Sequence, residues 1–265
     1  MAEQASAGDY RVAIFGAGPA GFYAAEGLLK SESPKILVDM FDRLPTPYGL
    51  VRGGVAPDHQ KIKTVTKIYK RTAARPGFRF FGNVGYGEQL SLEEVLSHYH
   101  QVLFTTGAET DRRLGIAGED LPGSYPATAF VGWYNGHPDY MHLKFPLDRA
   151  KRVAVVGNGN VAVDVTRILA RPVDDLAKTD IADDALKALR ASTVEEVIML
   201  GRRGPAQAAF TNPEIRELGD LGACDLLVRP EDMALDPASE AYLAQEKNPA
   251  FRRNVEIMRQ AAERG

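Results

Sequence analysis

The sequence predicts an α/β fold in two domains, and three observations carry the prediction. Two glycine-rich turns recur along the chain, Gly16-Ala17-Gly18-Pro19-Ala20-Gly21 and Gly157-Asn158-Gly159-Asn160-Val161-Ala162. Each follows directly on an apolar strand, Arg11-Val12-Ala13-Ile14-Phe15 in the first case and Arg152-Val153-Ala154-Val155-Val156 in the second, and each opens a helix. Strand-like and helix-like segments alternate around them, which is the pattern of an α/β chain.

The strand before and the helix after give each glycine pattern its meaning. Gly16 and Gly157 permit a tight turn, and Gly18 and Gly159 let backbone amides approach a pyrophosphate with no Cβ in the way. Gly21, or Ala162 in the second copy, lets the helix lie close on the strand, so that unpaired N–H groups and the helix dipole meet phosphate charge. Two Rossmann-like dinucleotide-binding domains are therefore expected.

The next strand in each domain bears on the choice of nucleotide. Ile36-Leu37-Val38-Asp39-Met40-Phe41 ends in Asp42, whose carboxylate suits a ribose diol and would repel a 2′-phosphate. Val197-Ile198-Met199-Leu200 ends instead in Gly201-Arg202-Arg203-Gly204, two permanently charged planar forks that suit a phosphate monoester. The first site reads as FAD or NAD and the second as NADP. The alternatives are an ordinary strand-end acid at Asp42 and a solvated basic turn at Arg202 and Arg203.

The remaining elements follow in order. The first turn leads into an apolar helix through Phe22, Ala24, Ala25, Leu28 and Leu29. Residues 44–59 form a long loop that mixes prolines with Tyr48, Leu50 and Val51, side chains able to pack on a flat ring and unlike those of a flexible linker. A helix of roughly 15 residues then carries Ile62, Val65, Ile68 and Tyr69 near one face and Lys63, Lys67, Lys70 and Arg71 on another. That basic face is either solvated or a docking surface that steers an acidic protein. Phe78-Arg79-Phe80-Phe81 reads as a short strand, and Ser91 with Glu94 as a capping box that starts the next helix. Gln101-Val102-Leu103-Phe104 is a strand ending in Thr105-Thr106-Gly107-Ala108, a small-residue turn suited to close approach of a ligand or a crossing chain.

Composition bounds the function. At 265 residues and 45% hydrophobic, the chain can build one large or two moderate cores. A net charge of −3 predicts no general attraction to nucleic acid or anionic membrane, and no apolar run approaches the ~20 residues of a bilayer span. Residues 1–9 have neither a cationic start nor an apolar core, which points to a cytoplasmic location. The single cysteine, Cys224, excludes a dithiol flavoenzyme and reads as a small packing residue. His98 and His100, two apart on an expected helix, point to different faces, and no protein-bound metal is expected.

Three long motifs carry a more specific signal: residues 47–59 (Pro47-Tyr48-Gly49-Leu50-Val51-Arg52-Gly53-Gly54-Val55-Ala56-Pro57-Asp58-His59), residues 130–139 from Phe130 to Asp139, and residues 201–211 from Gly201 to Thr211. In order and spacing the sequence resembles the adrenodoxin reductase type of ferredoxin–NADP reductase, and most of all its bacterial members. The resemblance implies a flavoenzyme that takes a hydride from NADPH onto FAD and passes electrons singly to a ferredoxin-type iron–sulfur protein. It implies an FAD-binding domain over residues 1–108 and an NADP-binding domain over 109–265, with the carboxy-terminal completion of both absent, since family members run far past residue 265.

Carried over position by position, Gly16, Gly18, Pro19, Ala20 and Gly21 would hold the FAD pyrophosphate and Asp42 its ribose, where the family usually has Glu. Leu50 and the backbone of Val84 would sit against FAD. Gly157, Asn158, Gly159, Asn160 and Val161 would meet the NADP pyrophosphate, Arg202 and Arg203 its 2′-phosphate, and Glu214 would contact NADP. His59, Asp164 and Glu217 match polar positions near the family's reaction centre, where they would orient the nicotinamide and manage the flavin proton; read alone, His59 is equally a helix-start residue and Asp164 a polar helix position. Two other readings remain: a glutamate synthase small-subunit-like protein, against which the lack of cluster cysteines argues, and a non-catalytic nucleotide-binding module.

Overall fold

The computed structural model describes residues 9–108, 110–245 and 249–264. Residues 1–8 of the leader, and Glu109 at the expected domain boundary, lie outside the described residues. The chain divides into two compact units, Met1–Val55 with His59–Arg113, and Ala56–Asp58 with Leu114–Gly265.

The first unit is a four-stranded parallel sheet. Its strands are β1 (Tyr10–Phe15), β2 (Ile36–Phe41), β3 (Phe78–Phe81) and β4 (Gln101–Phe104), in the order β3-β2-β1-β4. Alternate residues of β1 and β2 face opposite sides, and both sides are mainly apolar, as a parallel sheet covered on two faces requires, with the buried Asp39 of β2 bonded to Arg79 and Tyr99 as the exception. On one side Val12, Ile14, Val38 and Met40 pack with Phe22, Ala25 and Tyr69. On the other, Ala13, Phe15 and Phe41 pack with Val95. The covering helices are α1 (Pro19–Leu28), the short turns α2 (Leu50–Gly53) and α3 (Gln60–Lys63), α4 (Thr66–Ala73) and α5 (Leu92–His98). The Ser91–Glu94 capping box forms in both directions and starts α5.

Two expectations are corrected here. The single helix of roughly 15 residues expected through Ile62, Val65, Ile68 and Tyr69 is broken into α3 and α4, where Thr64 and Thr66 bond their hydroxyls back to the carbonyls of Lys61 and Lys63 at 2.6 and 2.8 Å. The backbone there tightens to three-residue spacing, with Thr64 and Val65 donating to Lys61 and Ile62. The pairing of His98 with His100 on one helix also fails, since α5 ends at His98. His100 lies beyond it, accepts the Arg11 N–H at 3.0 Å and stacks on Tyr10.

The second unit is built on two parallel strands, β5 (Arg152–Val156) and β6 (Glu196–Leu200), paired residue for residue from Arg152 with Glu196 to Val156 with Leu200. Its helices are α6 (Ala127–Tyr134), α7 (Asn160–Ala170), α8 (Val173–Leu176), α9 (Asp183–Arg190), α10 (Asn212–Gly219), α11 (Pro237–Gln245) and α12 (Pro249–Arg264). Three opposed clusters hold it. Phe130, Trp133 and Tyr134 of α6 meet Val165 and Ile168 of α7 and Ala185 and Leu189 of α9. On the other side of α7, Val163 packs with Phe210, Ile215 and Leu218. Met233, Leu243 and Val255 form the third cluster. No helix among the described residues is long and apolar enough to cross a membrane.

Candidate nucleotide-binding sites

Both glycine turns hang from the neighbouring strand by the same bond. The Gly16 N–H donates to the Phe41 carbonyl at 2.8 Å, and the Gly157 N–H to the Leu200 carbonyl at 2.8 Å. Gly16 takes φ +106°, a left-handed conformation, and a Cβ there would overlap the Thr105 carbonyl oxygen. A Cβ on Gly21 would fall on the Gly16 carbonyl oxygen. The fold itself therefore demands glycine at 16 and 21. The Thr105 hydroxyl closes the turn, within 3.1 and 2.8 Å of the Phe15 and Gly16 carbonyl oxygens it can donate to.

The middle glycines differ. Gly18 has φ −84° and ψ −173°, ordinary extended backbone, and the nearest atom to a Cβ there is Gly49 Cα at 3.9 Å. Gly159 has φ −108° and ψ 179°, with no described atom within 4 Å of a Cβ. Neither backbone conformation nor packing excludes a side chain at 18 or 159; both are the N-cap residues of their helices, a position that glycine suits and that leaves the space in front of the first-turn amides open. Each precedes a helix of ten or eleven residues whose first-turn amides have no partner within the helix. Pro19 stands at the first position of α1, where a missing N–H is harmless. Ala20, Asn160 and Val161 are exposed at these helix starts.

A strap crosses the first turn. The Tyr48 N–H donates to the Ala17 carbonyl at 2.7 Å, and a Cβ on Gly49 would come within 2.8 Å of Gly18 Cα. Tyr48 holds φ +95°, costly for a residue with a side chain. Its ring packs on Phe22 and Tyr69 with the Arg52 guanidinium above it, and these contacts hold the conformation. Leu50, next along, is 68% exposed. The second turn is strapped by residues 209–211: Ala209 and Phe210 donate to the Asn158 carbonyl at 2.8 and 3.1 Å, and Thr211 donates to Asn160 Oδ1 at 2.8 Å.

The strand ends keep the charge contrast. Asp42 is half-buried and organises backbone: Oδ2 accepts the Ala17 N–H at 2.7 Å and Oδ1 the Leu44 N–H at 2.9 Å. A carboxylate offers about four lone-pair sites, so acceptor capacity is left beyond these two bonds. Val84 donates its N–H to the Asp42 carbonyl at 2.9 Å and is half-buried against the cluster of Ala13, Phe15, Phe41 and Val95. Arg202 and Arg203 are exposed just past β6, and neither makes an ion pair with a described residue.

The acids at 164, 214 and 217 gather with residues that the sequence did not single out. Arg167 on α7 is wholly buried. Its Nε and Nη2 fork Asp58 at 2.7 and 3.0 Å, Nη2 also reaches Asp164 at 2.8 Å, and Nη1 reaches Glu214 at 3.1 Å. Arg171, one turn on, donates to Asp58 at 2.6 Å and lies 3.8 Å from Glu217. Burial works against the Arg167 charge, but the bonds and charges of Asp58 and Asp164 outweigh it and raise its pKa. Tyr134 is buried beside them; burial pushes its phenol up, and the charges of Asp164 and Asp58 push it further. The signal in the sequence was the spacing of Asp164 and Arg167 on α7 with Arg171 just past its end, an i, i+3, i+7 series of charges along a largely apolar helix. His59 belongs to the first unit, where its carbonyl accepts the Ile62 and Lys63 N–H groups at the start of α3. On α4, Lys67, Lys70 and Arg71 are exposed, and Lys63, at the end of α3, is half-buried. Cys224 is half-buried.

Known proteins are similar to this chain over nearly its whole length. The chain is 48% identical over 258 residues to the NADPH-ferredoxin reductase FprA of Mycobacterium leprae, covering 94% of this chain and 55% of that protein. It is 46% identical to the mitochondrial NADPH:adrenodoxin oxidoreductase of Arabidopsis thaliana, covering 97% of this chain and 53% of that one. The solved structure of Mycobacterium tuberculosis FprA in complex with NADPH superposes with a TM-score of 0.91 at 47% identity, over 97% of this chain and 57% of that one. The chain thus spans a little over half the length of the relatives it matches. Residues 10–203 match the family described as pyridine nucleotide-disulphide oxidoreductase, and with both glycine turns inside that span, the chain belongs to this family.

Proposed function

We propose that this chain is the nucleotide-binding part of a cytoplasmic NADPH–ferredoxin reductase, with FAD at the first glycine turn and NADP at the second. The observation that carries the reading is the pair of strand–turn–helix units in which Gly18 and Gly159, the N-caps of α1 and α7, set no side chain in front of the helices' unpaired first-turn amides. Similarity to named NADPH-ferredoxin reductases supports the assignment of the two nucleotides.

In this reading the turn Gly16, Gly18, Pro19, Ala20 and Gly21 and the start of α1 hold the FAD pyrophosphate, and Asp42 uses its spare lone pairs for the ribose. The exposed Leu50 covers the flavin, and Val84 lies against it. Gly157, Asn158, Gly159, Asn160 and Val161 hold the NADP pyrophosphate, while Arg202 and Arg203 pair with the 2′-phosphate. Bound flavin supplies hydride acceptance and one-electron release, chemistry that side chains do not provide. His59, Asp164 and Glu217 orient the nicotinamide and hold a proton for the flavin, and Glu214 contacts NADP. Lys63, Lys67, Lys70 and Arg71 form a basic surface that steers an acidic iron–sulfur protein, raising its association rate.

The test is the visible spectrum of the purified 265-residue chain, as isolated and after added FAD, then with NADPH under anaerobic conditions. The expected result is a bound-flavin spectrum that NADPH bleaches. A chain that stays colourless with FAD yet binds NADP would be a nucleotide-binding module without redox function. A chain that binds neither refutes the proposal.

A further inference from the structure

Among the described residues, Arg167 is the largest of the fully buried side chains, and it is charged. Its guanidinium ties together three separate stretches of the second unit: Asp58 in the segment Ala56–Asp58, Asp164 one turn back on α7, and Glu214 on α10. Stability does not account for this. A buried ion pair loses in desolvation about what it gains in attraction, and an apolar side chain of the same volume fills such a site as well. Nor does charge alone account for it, since an ammonium would neutralise the same acids without a planar fork. What only the fork supplies is geometry: the two-bond grip on Asp58 fixes the plane of the guanidinium, and that plane fixes where Asp164 and Glu214 place their bonded oxygens.

We infer that Arg167, locked by Asp58 and braced by Glu214, is a positioning residue that sets how Asp164 meets the nicotinamide end of NADP and has no part in holding the adenosine end. This rests on the NADP reading above. The adenosine end in that reading belongs to Arg202 and Arg203, at the end of β6, which share no bond with Arg167. The two ends of the nucleotide can therefore be probed separately in one protein.

The experiment titrates the unaltered chain, Arg167→Lys and Asp58→Asn with NADP⁺ and with 2′,5′-ADP, which carries the adenosine end and its phosphates but no nicotinamide. Lysine keeps the charge and loses the fork. Asparagine keeps the volume of Asp58 and turns one acceptor into a donor facing the guanidinium. Both variants should weaken NADP⁺ by on the order of tenfold while 2′,5′-ADP stays within about twofold. Equal weakening of both ligands would make Arg167 a purely structural residue and overturn the inference, as would unchanged NADP⁺ affinity or full rescue by lysine. If the unaltered chain fails to bind 2′,5′-ADP, the NADP reading fails and the inference goes with it. Loss of the inference alone leaves 2′,5′-ADP binding, and its dependence on Arg202 and Arg203, intact.

Discussion

Replacing Gly159 by alanine adds one methyl group at a point where no described atom of the protein lies within 4 Å. The backbone there, φ −108° and ψ 179°, is open to any residue. Alanine is a poorer helix N-cap than glycine, a cost of roughly 0.5–1 kcal/mol, and it restricts the unfolded chain, a gain of about 0.4–1 kcal/mol. The two offset to within about 1 kcal/mol, so the melting temperature without nucleotide should move by less than ~4 °C. Binding should respond quite differently. The methyl lies where backbone amides approach the pyrophosphate, and losing a single hydrogen bond to a charged group costs about 1.5–3 kcal/mol, roughly 10- to 150-fold in NADP⁺ affinity. Thermal melts of both proteins without nucleotide, paired with NADP⁺ titrations, read the two effects apart. Unchanged melting together with unchanged NADP⁺ affinity would refute the reasoning, because Gly159 would then serve neither fold nor ligand. Gly21→Ala is the contrasting control: its Cβ falls on the Gly16 carbonyl oxygen, so this variant should lose about 1–3 kcal/mol of stability before any ligand is added.

Replacing both Arg202 and Arg203 with alanine should weaken NADPH against NADH by about 2–4 kcal/mol, roughly 30- to 1,000-fold, whereas equal loss for both nucleotides would remove the 2′-phosphate assignment. Tyr134→Phe should stabilise the protein by about 1 kcal/mol in denaturant titrations, because the buried Tyr134 hydroxyl has no hydrogen-bond partner among the described residues. Tyr134 and Tyr99 both have raised phenol pKa values, chiefly through burial. Their contribution to stability is full below the free phenol value of about 10 and falls above it at about 1.4 kcal/mol per pH unit each, as the unfolded phenols ionise. The Phe variant should show a shallower alkaline decline, and an equal slope would contradict the assignment. Charge reversal at Lys67 and Lys70 should slow association with an acidic iron–sulfur protein by roughly tenfold at low salt and little at high salt, as followed by stopped flow.

The parts of the fold set by local patterns were legible in the sequence. Both strand–turn–helix units, the second strand of each, the Phe78–Phe81 strand and the Ser91–Glu94 cap follow from apolar runs, glycine spacing and capping chemistry, which act over a few residues. The break between α3 and α4 was hidden because Ile62, Val65, Ile68 and Tyr69 keep helical spacing through it, while the Thr64 and Thr66 hydroxyls that redirect the backbone leave no mark in that periodicity. Asp42 was legible as a strand-end acid but not as the acceptor that holds Ala17 and Leu44, since those partners are defined only once the turn has folded. The Arg167 cluster was the least legible: its members are 109 and 47 residues apart along the chain, and an arginine on a helix reads as a surface residue until its burial is known.

The backbone-on-backbone contact of Gly49 with Gly18 constrains the two positions unequally. A side chain at 49 would press on Gly18 Cα as directly as a ligand-facing side chain at 18 would obstruct the turn from outside. Position 49 is therefore tied to glycine by the turn beneath it, while position 18 is not tied by the strap in return. An attempt to retarget the first turn to another nucleotide by editing residues 16–21 inherits the strap as a fixed ceiling, and the productive library is one that varies residues 47–50 together with the turn.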